Sequence, residues 1–189
     1  MRDSPRFAAT MLVAATVLAC IAPRAHAVTV GIGAYGGTSV SVIQQDNKGG
    51  GIFGARLPVS LIPLFTIEPY FATSSGGKLT KVFGDHSYTR SGFDQKVFGA
   101  NLLFGSAIAG RGIKFMNSLG ISSNKLTRAG STDISEMGYS EGLGLGVGVT
   151  PEIALIVRGD LSLVKTGETS RKFANATINL YYTLIHDKK

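Results

Sequence analysis

Residues 142–163 alternate with a period of two. Leu143, Leu145, Val147 and Val149 are separated by Gly142, Gly144, Gly146 and Gly148. After a Thr-Pro-Glu turn, Ile153, Leu155, Val157, Leu161 and Leu163 alternate with Ala154, Ile156, Arg158, Asp160 and Ser162. Side chains point to opposite faces of a pleated strand in turn, so this pattern predicts two strands joined as a hairpin. One face of that hairpin is aliphatic. The other holds glycine and charge.

The same alternation marks eight segments: 28–43, 51–61, 65–73, 92–104, 113–122, 142–149, 153–163 and 172–184. No helical period competes between them. Polar connections at 44–50, 74–91, 123–136 and 165–171 alternate with shorter ones at 62–64, 105–112 and 150–152. Four hairpins whose two ends differ in this way predict an eight-stranded antiparallel up-and-down barrel with its rims in different environments. Asn117 interrupts the apolar face of its segment.

Which face is buried decides between water and lipid outside. A ligand-binding barrel in water needs an apolar pocket inside. Here the polar face carries Arg56, Glu68, Gln95, Asn101, Lys114, Arg158, Asp160, Asn175 and Asn179. The apolar face forms a band that includes Leu57, Ile67, Leu102, Leu145, Val147, Leu155, Val157 and Leu180. Ten residues rising ~3.3 Å each on strands tilted ~40° cover roughly 25 Å, the height of an outer-membrane apolar belt. Phe65, Phe104, Phe115 and Tyr182 fall near the short turns or the carboxyl end, and Phe53, Phe71 and Tyr139 near the long connections. Two rings of aromatics suit two membrane interfaces, although tryptophan is absent. The expected arrangement is a lipid-facing belt around a structural polar network of Arg56, Glu68, Asn101, Lys114, Arg158 and Asp160. A turn centred on 62–64 sets Arg56 opposite Glu68. The 150–152 turn sets Arg158 and Asp160 opposite Gly144 and Gly142, where missing side chains leave room for them.

The amino end changes how the composition is read. Arg2 and Arg6 precede an apolar run from Phe7 to Ala22, and Ala25-His26-Ala27 suits secretory cleavage before Val28. Val17-Leu18-Ala19-Cys20 is a loose lipobox and offers a lipoprotein alternative. Cleavage after Ala27 leaves 162 residues, a net charge of +5 and no cysteine. An exported chain without cysteine is held by burial and hydrogen bonds rather than by disulfides. No remaining stretch reaches 18 apolar residues, so a membrane role has to come from strands. The mild positive charge forms no basic cluster, and no nucleic-acid partner is expected.

The run Gly-Leu-Gly-Leu-Gly-Val-Gly-Val-Thr-Pro-Glu-Ile-Ala-Leu at 142–155, followed by a loop and a final strand at 172–185, resembles the last strands of small OmpA/OmpX-type outer-membrane β-barrels. The resemblance covers the whole mature chain in architecture but only 142–185 in motif. It implies insertion by the outer-membrane assembly machinery and an outer-membrane location. It implies no single activity, since the family includes structural, adhesive, resistance-related and enzymatic members. Members often end on an aromatic residue, whereas here Ile185-His186-Asp187-Lys188-Lys189 follows Tyr181-Tyr182.

Catalytic chemistry finds little support in the residues. A lipid deacylase needs a serine activated by a histidine that a carboxylate orients. His86-Ser87 is the only close His–Ser pair in the mature chain, and it falls in a connection. Two distant histidines and no cysteine supply no metal-ligand cluster. The Gly-x-Gly pairs lie within strands, not in phosphate-binding turns. The expectation is a monomeric, non-enzymatic outer-membrane barrel without cofactor, in contact with outer-membrane lipid, with a structural or surface-interaction role. The alternatives are a periplasmic small-ligand barrel and an outer-membrane lipid-modifying enzyme.

Overall fold

The computed structural model describes residues 28–42, 49–62, 64–90, 92–167 and 169–185. The expected signal segment, most of the 44–50 connection and His186 lie outside the described residues. Every regular element among the described residues is a strand: β1 Thr29–Val42, β2 Gly50–Arg56, β3 Val59–Ile62, β4 Phe65–Ser74, β5 Leu79–Phe83, β6 His86–Arg90, β7 Asp94–Gly105, β8 Gly112–Thr127, β9 Ile134–Gly148, β10 Ile153–Thr166 and β11 Thr169–Ile185. The barrel runs β1, β2/β3, β4, β7, β8, β9, β10, β11, each antiparallel to the next. It closes where β1 pairs with β11 from Val30↔Ile185 to Val42↔Lys172. Closure leaves no unpaired edge, which an open sheet exposed to lipid could not tolerate.

Three local departures from the sequence expectation have physical causes. The segment at 51–61 divides into β2 and β3 at Leu57-Pro58, because proline has no N–H for the ladder. The backbone bridges the gap with bonds from Gly31 N–H to the Pro58 carbonyl and from Leu57 N–H to the Pro69 carbonyl, both 2.9 Å. A register shift between Ser60 and Ile62 follows. Arg56 stands opposite Tyr70 and not opposite Glu68, in the same register as Val59↔Ile67 and Ser60↔Thr66, because the ladder is centred on residue 63 and not on 62.

The connection at 74–91 contains a separate hairpin, β5–β6, in which Phe83 pairs with His86 around a Gly84-Asp85 turn. Gly84 adopts φ 58°, the left-handed region glycine enters without penalty. Finally, β8 and β9 run past the expected belt to Thr127 and from Ile134, and β10 and β11 extend to Thr166 and from Thr169. Inward Leu126, Ile134, Val164 and Phe173 justify these extensions by packing above the polar layer.

The interior is filled in layers. Leu103, Ile108, Met116, Ala154, Ile156 and Tyr181 form an apolar floor at the short-turn end. Tyr35, Ile52, Ala72 and Val97 pack together higher up, with Tyr70 against them. At the loop end Phe93, Leu126, Val164 and Phe173 close the top. Here the Phe93 ring lies 3.6 Å from the Arg128 guanidinium carbon and 4.2 Å from that of Arg171. The polar network expected inside the barrel is thus bounded by apolar layers. Inward Leu103, Val97 and Ile156 make apolar floors and walls, and the polar residues occupy the zone between.

Candidate functional site

That polar zone centres on Glu68, which is fully buried. β4 supplies it on the inward phase set by Thr66 and Ala72. Its Oε1 accepts hydrogen bonds from Arg56 Nη1 at 2.8 Å, Arg158 Nη1 at 2.8 Å and Asn101 Nδ2 at 3.0 Å. Its Oε2 accepts from the Tyr181 hydroxyl at 2.7 Å. Arg158 Nε donates to Asp160 Oδ1 at 2.8 Å, and Ser118 Oγ donates to the same oxygen at 3.4 Å. Arg56 Nη2 lies 3.9 Å from Asp160 Oδ2. Two guanidinium groups thus face two carboxylates. This balance matters because an unpaired buried charge costs several kcal/mol. The Arg56 guanidinium also lies 4.1 Å from the centre of the Tyr35 ring, a cation–π contact that covers its remaining face.

Glycine makes this cluster possible. Arg158 stands opposite Gly144 and Asp160 opposite Gly142. A Cβ at Gly142 would collide with the Asp160 carboxylate, and one at Gly144 would lie 2.7 Å from Met116 Cγ. Arg56, Glu68, Asn101, Arg158 and Asp160 meet in one network although Arg56 and Glu68 are not ladder partners, because the long Arg56 side chain reaches the Glu68 carboxylate. Lys114 does not join them. It is buried near the short-turn rim and donates to the Ala109 carbonyl at 2.7 Å. Its place four residues below Ser118 on β8 puts it beneath the apolar floor. Tyr181 and Ser118 complete the network and were absent from the expected set. Tyr181 had a detectable signal, since its phase on the last strand points inward beside Asn179.

Above the ions, a polar cavity of about 40 Å³ is lined by Tyr35, Tyr70, Gln95, Asn124 and Asp160, among others. This volume holds about three waters, not an organic ligand. Gln95 Nε2 donates to Asn124 Oδ1 at 2.8 Å along its wall.

The outer face is the converse. Leu57, Leu102, Leu145, Val147, Leu155, Val157 and Leu180 are exposed, and Ile67 is half-buried between Val59 and Leu102. Cross-strand pairs continue the band, as in Leu145↔Val157 and Val157↔Ile178. Phe53, Phe71, Tyr139, Phe65, Phe115 and Tyr182 are exposed on it too, and Phe65 meets Phe104 edge-to-face at 5.1 Å. Asn117 and Glu141 are its polar interruptions at mid-strand. Glu141 stands between Leu119 and Leu161.

His86 and Ser87 lie exposed on β6, away from the barrel interior. Among the described residues no group of three histidine, cysteine or carboxylate side chains is placed to hold a metal ion.

No family model matches the chain. No curated protein matches it either. Solved structures do share its fold. Neisserial surface protein A superposes with a TM-score of 0.60 at 13% identity, over 82% of this chain and 97% of that one. The N-terminal β-barrel domain of Pseudomonas aeruginosa OprF gives 0.53 at 13% identity, over 82% and 97%. The fold is the closed eight-stranded antiparallel barrel of small outer-membrane proteins, OmpA/OmpX-type in architecture.

Proposed function

We propose that this chain, built on the outer-membrane barrel fold, is a monomeric outer-membrane protein that works as a scaffold for surface contacts and carries no catalytic centre. The observation that supports this reading most strongly is the inversion of its two faces. An apolar exterior, interrupted at Asn117 and Glu141, surrounds a charge-balanced cluster inside, an arrangement that water would penalise and lipid stabilises. The outer-membrane assembly machinery inserts the barrel, and outer-membrane lipid contacts Leu57, Ile67, Leu102, Leu145, Val147, Leu155, Val157 and Leu180. The network around Glu68 plugs the lumen and serves structure. The tips at 84–85 and 128–133 face outward, and the 150–152 turn faces the periplasm.

Single cysteines test this topology, because the one cysteine of the sequence, Cys20, lies in the expected signal segment. In intact cells a membrane-impermeant thiol reagent is expected to label Ser131→Cys and to leave Thr150→Cys unlabelled until the cells are opened. Equal labelling of both, or of neither, contradicts the reading. Expression is also expected to leave the lipid A mass profile unchanged. A new lipid A species would replace the scaffold by a lipid-modifying enzyme.

A further inference from the structure

The connection between β7 and β8 differs from its neighbour on the same rim. The 62–64 connection leaves Leu64 63% exposed, whereas Ile108 is 4% exposed. Ile108 enters the apolar floor with Leu103, Met116, Ala154, Ile156 and Tyr181. The backbone turns at Gly105 and Gly112, whose φ angles of 137° and 101° lie where glycine is favoured over residues with side chains. On its far side Gly110 N–H donates to the Pro151 carbonyl at 2.8 Å, so the connection reaches the turn between β9 and β10.

Lys114 ties this connection down. Its Nζ donates to the carbonyl of Ala109, which is itself buried, at 2.7 Å. Among the described residues no carboxylate pairs with this buried ammonium. The glycine column of β9 makes the room. Lys114 stands opposite Gly146. A Cβ at Gly148 would collide with the Gly110 carbonyl and lie 2.9 Å from Lys114 Cε. One glycine column thus admits Asp160 at Gly142 and the β7–β8 connection at Gly148. Two tendencies oppose each other here. Ile108 gains by leaving water, while a buried ammonium without a counter-ion loses hydration that one carbonyl does not restore. The cluster around Glu68, with its charges balanced, carries no such bias. A segment held by few bonds against an internal cost is where local opening starts.

We propose that residues 106–111 form a periplasmic plug, seated by Ile108 and latched by Lys114, that opens as a unit without unfolding the barrel and admits water to the floor beneath Glu68. Its periplasmic side rests on the membrane reading above. Tyr181 joins the two layers, since it belongs to the floor and donates to Glu68 Oε2. Opening wets the underside of the ion cluster, and closing dries it.

Amide hydrogen exchange of the barrel folded in dodecyl maltoside micelles tests the plug. The Gly110 amide is expected to exchange about a hundredfold faster than the ladder amides of β8–β10. Ile108→Ser, Lys114→Ala and Gly148→Ala each speed Gly110 about tenfold further and leave the ladder unchanged. Leu64→Ser, on the neighbouring connection, leaves Gly110 unchanged. Ala154→Cys and, separately, Met116→Cys report on the floor. A small charged thiol reagent labels them slowly in the otherwise unaltered barrel, and about tenfold faster with Ile108→Ser. The plug is overturned if Gly110 exchanges only together with the ladder, or if no plug variant changes either readout. Heat-modifiable gel mobility reports the folding of each variant, and Ile108→Ser and Lys114→Ala carry the test if Gly148→Ala does not fold. Both readouts are taken in micelles and hold whichever way the barrel is oriented, whereas Thr150→Cys labelling in cells reports failure of the membrane reading separately.

Discussion

The two faces of the barrel wall obey different rules although they share the same strands. On the outside, Leu145, Val147, Leu155 and Val157 need only be apolar and outward, and their exact neighbours matter little. On the inside, the polar residues around Glu68 depend on specific partners. Glu68 accepts four hydrogen bonds from residues on four different strands. Gly142 is small because Asp160 stands opposite it. The outer face is set by a solvent and the inner face by a register.

The sharpest way to break this contrast is to remove the hub inside. Glu68→Ala leaves Arg56 and Arg158 sharing Asp160 alone. A loss of about 3–5 kcal/mol is expected, the cost of breaking a buried ion cluster from one side. Urea unfolding of the detergent-refolded barrel measures it, and a loss below 1 kcal/mol would mean that the cluster is not holding the lumen.

The outer face answers to polarity instead. Leu143→Arg, between the levels of Tyr139 and Phe115 on the outer face, is expected to cost about 2–4 kcal/mol, with a smaller penalty toward the rims. Folding into lipid vesicles measures this directly. The paired change Leu145→Asp with Val157→Asp, on two directly opposed positions, is expected to block insertion. An exterior facing water would tolerate both.

Two glycines separate the faces with one methyl group each. A Cβ at Gly146 collides with the Leu155 carbonyl, and one at Gly159 meets nothing within 4 Å. Gly146→Ala should therefore destabilise by about 1–3 kcal/mol, and Gly159→Ala by no more than about 0.5 kcal/mol. Equal effects on unfolding midpoints would show that the inner face is as permissive as the outer.

The smallest effect lies beyond both faces, at the loop tips. The hydrogen bond from Lys125 holds the Asp133 carboxyl below the usual aspartate range. A lowered carboxylate pKa contributes stability above its ordinary value and loses it as the pH falls through the folded value. An NMR titration should show that low midpoint, and Lys125→Gln should raise it toward the ordinary range. Overall stability should scarcely respond, because the pair is exposed and screened by salt.

This contrast also explains what could be read from the chain. The belt was legible because period two reports a face without reference to any other strand. The pairing of Arg158 with Gly144 was legible because a three-residue turn fixes the register nearby. The partner of Arg56 was not, because the 62–64 connection does not mark the hairpin centre to within one residue: a centre at 63 pairs Arg56 with Tyr70, as found, and a centre at 62 would pair it with Glu68. Lys114 has the inward phase but the wrong height, and phase alone carries no height. The β5–β6 hairpin hid inside a polar connection, although Gly84-Asp85 between Thr-Lys-Val-Phe and His-Ser-Tyr-Thr is a turn signal. The apolar cap of Phe93, Leu126, Val164 and Phe173 joins four distant segments, and only the closed barrel brings them together.

The central claim is that this exterior is built for lipid. Cell fractionation combined with gel mobility of unheated and boiled samples tests it most directly. A folded outer-membrane barrel is expected in the membrane fraction, released only by detergent, and migrating faster unheated than boiled. Release without detergent as a monodisperse soluble protein, with no mobility shift on boiling, would contradict the account.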